Sequence, residues 1–120
     1  MKKYAIALSL YGMIGGIALG SGIAGAEIGS AVHYSNRFQG KKTASGEIFD
    51  QNELTAAHKK FSYGTHVRVT NLDNNQSVIV KINDRMAKHN KDVIDVSRRA
   101  AKELGFINKG RARISLEEIK

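Results

Sequence analysis

The sequence predicts an all-β fold with one short helix, closing as a small barrel. Residues 66–70 (HVRVT) and 77–82 (SVIVKI) alternate apolar and polar side chains around the turn-forming stretch 71–76. A third alternating run, 110–116 (GRARISL), follows the one clear helix signal, Ser97 to Gly105. Strands this short hide their edges only by closing on themselves or pairing in layers.

The elements follow in order. Residues 31–35 (AVHYS) form a first strand, with Val32 and Tyr34 on the opposite face from His33. A loop over 36–40 carries Arg37 and Phe38. Residues 40–58 (GKKTASGEIFDQNELTAAH) have little period until Leu54, where a short apolar strand, 54–57, leads into His58. A turn at 59–64 opens the hairpin, whose inward residues are Val67, Val69, Val78, Val80 and Ile82. Its second strand runs directly into Asn83-Asp84-Arg85. After a polar loop, 86–92, residues 93–96 (VIDV) form an apolar strand with Asp95 in its middle. Ser97 caps a helix over 98–104, and Gly105 ends it as a left-handed residue. Val96, Ala100, Ala101 and Leu104 form the apolar stripe of that helix. The last strand, 110–116, turns Ala112, Ile114 and Leu116 inward and Arg111 and Arg113 outward.

A chain of 120 residues suits one domain, and a monomer is expected. It contains no Cys, which excludes disulfides, thiolate chemistry and a lipid-modified cysteine. With no Pro, every turn relies on Gly, Asn and Asp. The N-terminus reads as a secretory leader over residues 1–26: Lys2 and Lys3, an uncharged run from Tyr4, then Ala24-Gly25-Ala26 as a small-x-small cleavage site. The competing reading is a retained anchor, since that run is long enough to span a bilayer and Gly12, Gly16 and Gly20 recur at the spacing of packed membrane helices. Residues 27–120 are then the folded domain, outside the cytoplasm, with the membrane a partner only if the leader stays. Formal charge is +8 for the whole chain and +6 without the leader, which favours polyanions. Export argues against nucleic acid.

Two polar knots stand out from the strand pattern. One holds Glu47, Asp50 and His58 with two glycines; the other is Asn83-Asp84-Arg85. They read as one site brought together by the fold. Alone, each residue has a plainer explanation: Asp84 as a turn residue or the ion-pair partner of Arg85, Glu47 as a solvated loop carboxylate, His58 as a structural histidine. Asp50 reads as structural. Asp95 reads first as a partner for the start of the helix, and second as a member of the site. His33, His58, His66 and His89 match no zinc spacing, so no metal and no cofactor is expected.

These residues resemble the rare lipoprotein A family. The resemblance rests on Tyr34, Phe38-Gln39-Gly40, the TASGE of 43–47, Phe49-Asp50, the LTAAH of 54–58, Tyr63-Gly64-Thr65, the VRVTN of 67–71, Val80, the NDR of 83–85, Ile94-Asp95 and Ser97. It covers nearly all of 31–118. It implies a six-stranded double-psi β-barrel and endolytic lytic transglycosylase activity on peptidoglycan glycan strands stripped of stem peptides, producing 1,6-anhydromuramic ends in wall remodelling or daughter-cell separation. It places the family's functional Glu, His and Asp on Glu47, His58 and Asp84. Three features depart from the family: no lipoprotein cysteine, no C-terminal glycan-binding repeat, and Met86-Ala87 where Gly-Pro commonly follows NDR. The expected location is the periplasm or cell envelope, without a lipid anchor.

Cleaving a glycosidic bond this way needs a proton for the leaving oxygen and support for an oxocarbenium-like transition state. Asp84, at the end of a buried strand, is the preferred acid/base. Glu47 stays ionised and supports positive charge, and His58 hydrogen-bonds one of the two carboxylates; the Asp84 and Glu47 roles are exchangeable. Tyr34 and Phe38 are candidate sugar-stacking surfaces, with Tyr63 beside them, although aromatics of a small barrel read equally well as core, and Asn83 and Arg85 flank the acid as substrate contacts. The alternative is a related barrel that grips glycan without cutting it.

Overall fold

The computed structural model describes residues 26–120; the predicted leader, up to Gly25, lies outside them. Six strands and a short helix follow in order: β1 (Glu27–His33), β2 (Thr55–His58), β3 (His66–Asn71), β4 (Ser77–Arg85), β5 (Ile94–Val96), α1 (Arg98–Leu104) and β6 (Arg111–Ile119). The strands close a barrel in the order β1-β5-β2-β4-β3-β6, with β6 returning to β1. Pairs β1/β5 and β2/β4 are parallel and the other four antiparallel. This is the closed six-stranded double-psi barrel.

Alternation explains the core. Ala31, Ala56, Val67, Val69, Val80, Ile82, Ile94, Val96, Ala112, Ile114 and Leu116 point inward and are buried. The helix caps one opening with Ala100, Ala101 and Leu104. Ser97 Oγ accepts from the Ala100 amide at its start, and Gly105 ends it at φ 79°. The side-chain amides of Asn71, at the end of β3, and Asn74, in the β3–β4 turn, donate to the last helical carbonyl, Leu104 O, at 2.8 and 3.0 Å.

Three strand limits differ from expectation by more than one residue. The first strand spans 27–33, not 31–35: Gly29 and Ser30 break the apolar alternation, yet the segment pairs along β6 from Leu116 to Arg111. Ala31 is its inward residue, and Tyr34 leaves the strand. The last strand continues to Ile119, through Glu117 and Glu118, which sit on its exposed end. Asn83, Asp84 and Arg85 lie within β4 rather than after it.

That third difference has a cause. Between Ala56 and Ala57 the β2/β4 register slips, so Ala56 faces Ile82 but Ala57 faces Asp84, leaving Asn83 as the extra residue of a bulge. Ala56 belongs to the barrel core. Ala57 belongs to a second small cluster on the outside, with Tyr34, Phe49 and Met86. The bulge thus ends a purely structural strand with polar residues turned toward the outer face.

Candidate active site

The long segment between β1 and β2 folds over this outer face. Its order comes from backbone bonds: Gly40 N to Phe49 O, Phe49 N to Lys41 O and Thr43 N to Glu47 O, at 2.9, 2.8 and 2.8 Å. Phe49 is the apolar anchor, 1% exposed and stacked on Tyr34 with ring centroids 4.1 Å apart. Gly46 adopts φ 93°, which lets the chain reverse between Ser45 and Glu47. Thr43 Oγ1 and Ser45 Oγ bond each other at 2.9 Å and tie off the turn.

This TASGE turn docks onto the polar end of β4. The Ala44 amide donates to Asp84 Oδ1 at 2.8 Å, and the Ser45 amide to Asn83 O at 3.2 Å. Asn83 Nδ2 reaches Glu47 Oε1 at 3.1 Å, and Lys81 Nζ reaches Glu47 Oε2 at 3.0 Å. The two expected carboxylates, Glu47 and Asp84, therefore belong to one loop–strand junction, joined through Asn83. Lys81, with Asn83 second, holds the Glu47 carboxyl below its usual range, so Glu47 is an anion.

Asp84 is framed as an acceptor. Besides Ala44, its Oδ2 receives the Tyr34 hydroxyl at 2.6 Å and its Oδ1 the Arg85 amide at 2.9 Å. Burial, and then the bond to Asp84, keep the Tyr34 phenol firmly protonated. Tyr34 is only 7% exposed, with Phe49 on its face and Phe38 against its edge. This corrects its expected role: Tyr34 positions a carboxylate instead of offering a sugar-stacking face. Phe38 (37% exposed) and Tyr63 (44% exposed) remain open, with the Arg37 and Arg85 guanidiniums over their respective rings.

His58 also departs from expectation. Its Nδ1 accepts from the Lys60 and Phe61 amides, both at 3.1 Å, so the ring proton sits on Nε2 and is donated to Glu27 Oε1 at 2.9 Å. No hydrogen bond joins it to Asp84 or Glu47, because His58 lies one residue beyond Ala57 and points to the opposite side of β2. The backbone it orders does serve the site: Arg85 Nη1 donates to His58 O and Phe61 O, at 3.2 and 2.8 Å. Arg85 is accordingly tied to the backbone and not paired with the Asp84 carboxylate.

Asp50 is structural, as expected: it caps the turn at Asn52 and accepts from Gln39. Asp95 does not meet the helix. Ser97 and Gln51 fill that role, Gln51 Oε1 accepting from the Arg98 amide at 2.7 Å, and Asp95 Oδ1 is buried without a partner. Sequence reasoning missed Lys81; its place two residues before Asn83, on the same face, is the signal that could have found it. Among the described residues no group of His, Asp or Glu is arranged to hold a metal.

The family model described as lytic transglycolase matches residues 26–116. The chain is 48% identical over 93 residues to the endolytic peptidoglycan transglycosylase RlpA of Neisseria meningitidis, covering 78% of this chain and 39% of that protein. It is 48% identical over 92 residues to the RlpA of Pseudomonas aeruginosa, covering 77% of this chain and 27% of that one. The chain thus spans well under half the length of these curated relatives. Among solved structures, an expansin from Clavibacter michiganensis aligns with TM-score 0.62 at 25% identity, over 79% of this chain and 50% of its own. A Streptomyces papain inhibitor aligns with TM-score 0.65 at 18% identity, over 79% and 94%, a likeness of fold alone.

Proposed function

Given that the chain belongs to the lytic transglycolase family, whose model spans residues 26–116, we propose that it is an endolytic peptidoglycan lytic transglycosylase. Its substrate is the MurNAc–GlcNAc glycan strand, peptide-stripped by preference, and its product a 1,6-anhydromuramic end. The observation that carries this reading is the pair Asp84 and Glu47, held in different electrostatic settings at one loop–strand junction. Two carboxyl groups so distinguished can divide proton transfer from charge stabilisation.

In the reaction the bond from the muramic C1 to the departing oxygen breaks and a bond from C1 to the muramic O6 forms. One proton goes to the departing oxygen and one leaves the 6-hydroxyl, so no water is consumed. Asp84 is the acid/base carboxyl. Tyr34, Ala44 and Arg85 fix its position, and fixed geometry of this kind contributes much of a catalytic rate. Glu47, anionic beside Lys81, stabilises the positive charge that builds at C1. His58 and Asn83 position the Arg85 and Glu47 segments, while exposed Phe38 and Tyr63, with Arg85, line the approach for sugar rings. The domain works outside the cytoplasm, in the envelope, as a monomer delivered by the N-terminal leader.

Mass analysis of fragments released from peptide-stripped peptidoglycan tests this. Anhydro ends that disappear in Asp84→Asn and Glu47→Gln are expected. Reducing ends would make the protein a hydrolase. Binding to insoluble wall without any fragments would make it a glycan-binding barrel.

A further inference from the structure

Asp84 has a counterpart across the sheet. In the register of the three central strands, Ala57 faces Asp84 on β4 and Asp95 on β5. Residues paired at one level project to one face. The neighbours Ile94 and Val96 point into the barrel, so Asp95 points out, as Asp84 does. Ala57 is the residue between them in the register, so they lie across two strand spacings, or about 10 Å between Cα atoms. The Tyr34 hydroxyl, bonded to Asp84, also lies in the field of Asp95.

Asp95 performs no structural service that would explain it. The helix start is capped by others, and its Oδ1 is buried with no hydrogen-bond partner. The charged and titratable groups around it are Asp84 from β4, Tyr34 from the segment after β1, and Asp92 from the loop before β5; Arg111 holds Asp92 through two bonds of 3.0 and 3.1 Å. None supplies Asp95 with a positive partner. Burial first, then Asp84 and Asp92, push its carboxyl up to about 7. Asp84 and Glu47, by contrast, are surrounded by donors.

We propose that Asp95 is a third working carboxyl of this site, giving its proton to the departing glycosidic oxygen while Asp84 takes the proton of the 6-hydroxyl. The assignment rests on the transglycosylase reading and divides between two residues the acid/base work that reading gives to Asp84. The protein begins with one proton on Asp95 and ends with one on Asp84, so the count is unchanged. The proton then passes back through solvent or across the Tyr34 hydroxyl, and the cycle repeats.

The experiment compares the whole chain with Asp95→Asn and Asp84→Asn on peptide-stripped glycan, following anhydro ends across pH, glycan binding by sedimentation, and the Asp carboxyl carbons by NMR. Wild-type kcat should fall as pH rises past about 7, following the titration of the proton donor. Asp95→Asn should lose roughly a hundredfold in kcat, lose that alkaline limb and keep its binding. In Asp84→Asn the Asp95 carboxyl should titrate at lower pH, since a neighbouring negative charge is gone. Asp95→Asn with kcat within about threefold of wild type and the same alkaline limb overturns the proposal while leaving the transglycosylase intact. An Asp95 carboxyl titrating in the ordinary range of the wild-type protein overturns it without any variant having to fold. Wild type yielding no anhydro ends brings down the transglycosylase reading, and this one with it.

Discussion

Replacing Asp95 with Asn should flatten the loss of stability between acidic and alkaline pH even as it removes activity. The unfolded carboxyl titrates near the ordinary aspartate value of 3.8, the folded one at about 7. Between those values the folded chain holds a proton that the unfolded chain has released. Stability from this source is fully present below 3.8 and is lost as pH rises to about 7. At about 1.4 kcal/mol per pH unit, the displacement corresponds to a ceiling of about 4 kcal/mol. Screening by the partly open outer face reduces this to about 2 kcal/mol. Asn is isosteric and does not titrate, so its stability lacks that decline. Its buried amide carries a cost of about 1–3 kcal/mol that is the same at every pH. The informative quantity is therefore the change with pH of the difference between the two proteins. Urea unfolding at about pH 4 and about pH 8, at matched ionic strength, should show Asp95→Asn gaining about 2 kcal/mol on wild type between the two. Parallel stability–pH curves would refute the reasoning, because Asp95 would then be ionised in the folded protein as readily as in the unfolded one.

Tyr34→Phe keeps the stack on Phe49 and deletes the 2.6 Å bond to Asp84. It should lower kcat by roughly tenfold with glycan binding unchanged, and an unaltered kcat would refute the positioning role. Lys81→Met removes the main cause of the low Glu47 titration, so the acid-side fall of the pH–rate profile should move to higher pH; a fixed acid limb would count against an anionic role for Glu47. His58→Ala removes the acceptor of the Lys60 and Phe61 amides and should show first as reduced stability, by about 1–3 kcal/mol in total, in urea unfolding. Gly105→Ala puts a Cβ 2.8 Å from Asn74 Nδ2 at φ 79° and should lower the melting temperature through a loss of about 1–3 kcal/mol, with activity of the folded protein retained.

Legibility from sequence followed the physics of each segment. The hairpin β3–β4 and the helix with its Ser97 and Gly105 caps were plain, because alternation and capping are local signals. The barrel followed from the need of short strands to close. Glu47 and Asp84 were found as residues, but their junction depends on the Ala44–Asp84 and Asn83–Glu47 bonds, which no local pattern encodes. The start of β1 was hidden because Gly29 and Ser30 carry no alternation, and their pairing partners lie about eighty residues away in β6. Asp95 was misjudged for a related reason. Two residues before Ser97 it looks like a partner for the helix start, whereas the register across Ala57 sets it level with Asp84. His58 was given the wrong partner because a one-residue step along a strand reverses the face on which a side chain stands.

The ring is joined where β1 meets β6, the first and last strands of the described chain. Its closure is therefore the event of greatest sequence separation in folding, and contacts of that kind make folding slow. Until Arg111–Ile119 is available, β1 and β3 each keep an open edge, with backbone donors and acceptors free to pair with another chain. A nascent or truncated chain lacking β6 is consequently an aggregation hazard, although every other strand is present. The finished ring has no such edges, and its native state exposes none of the β1–β6 seam to a neighbour.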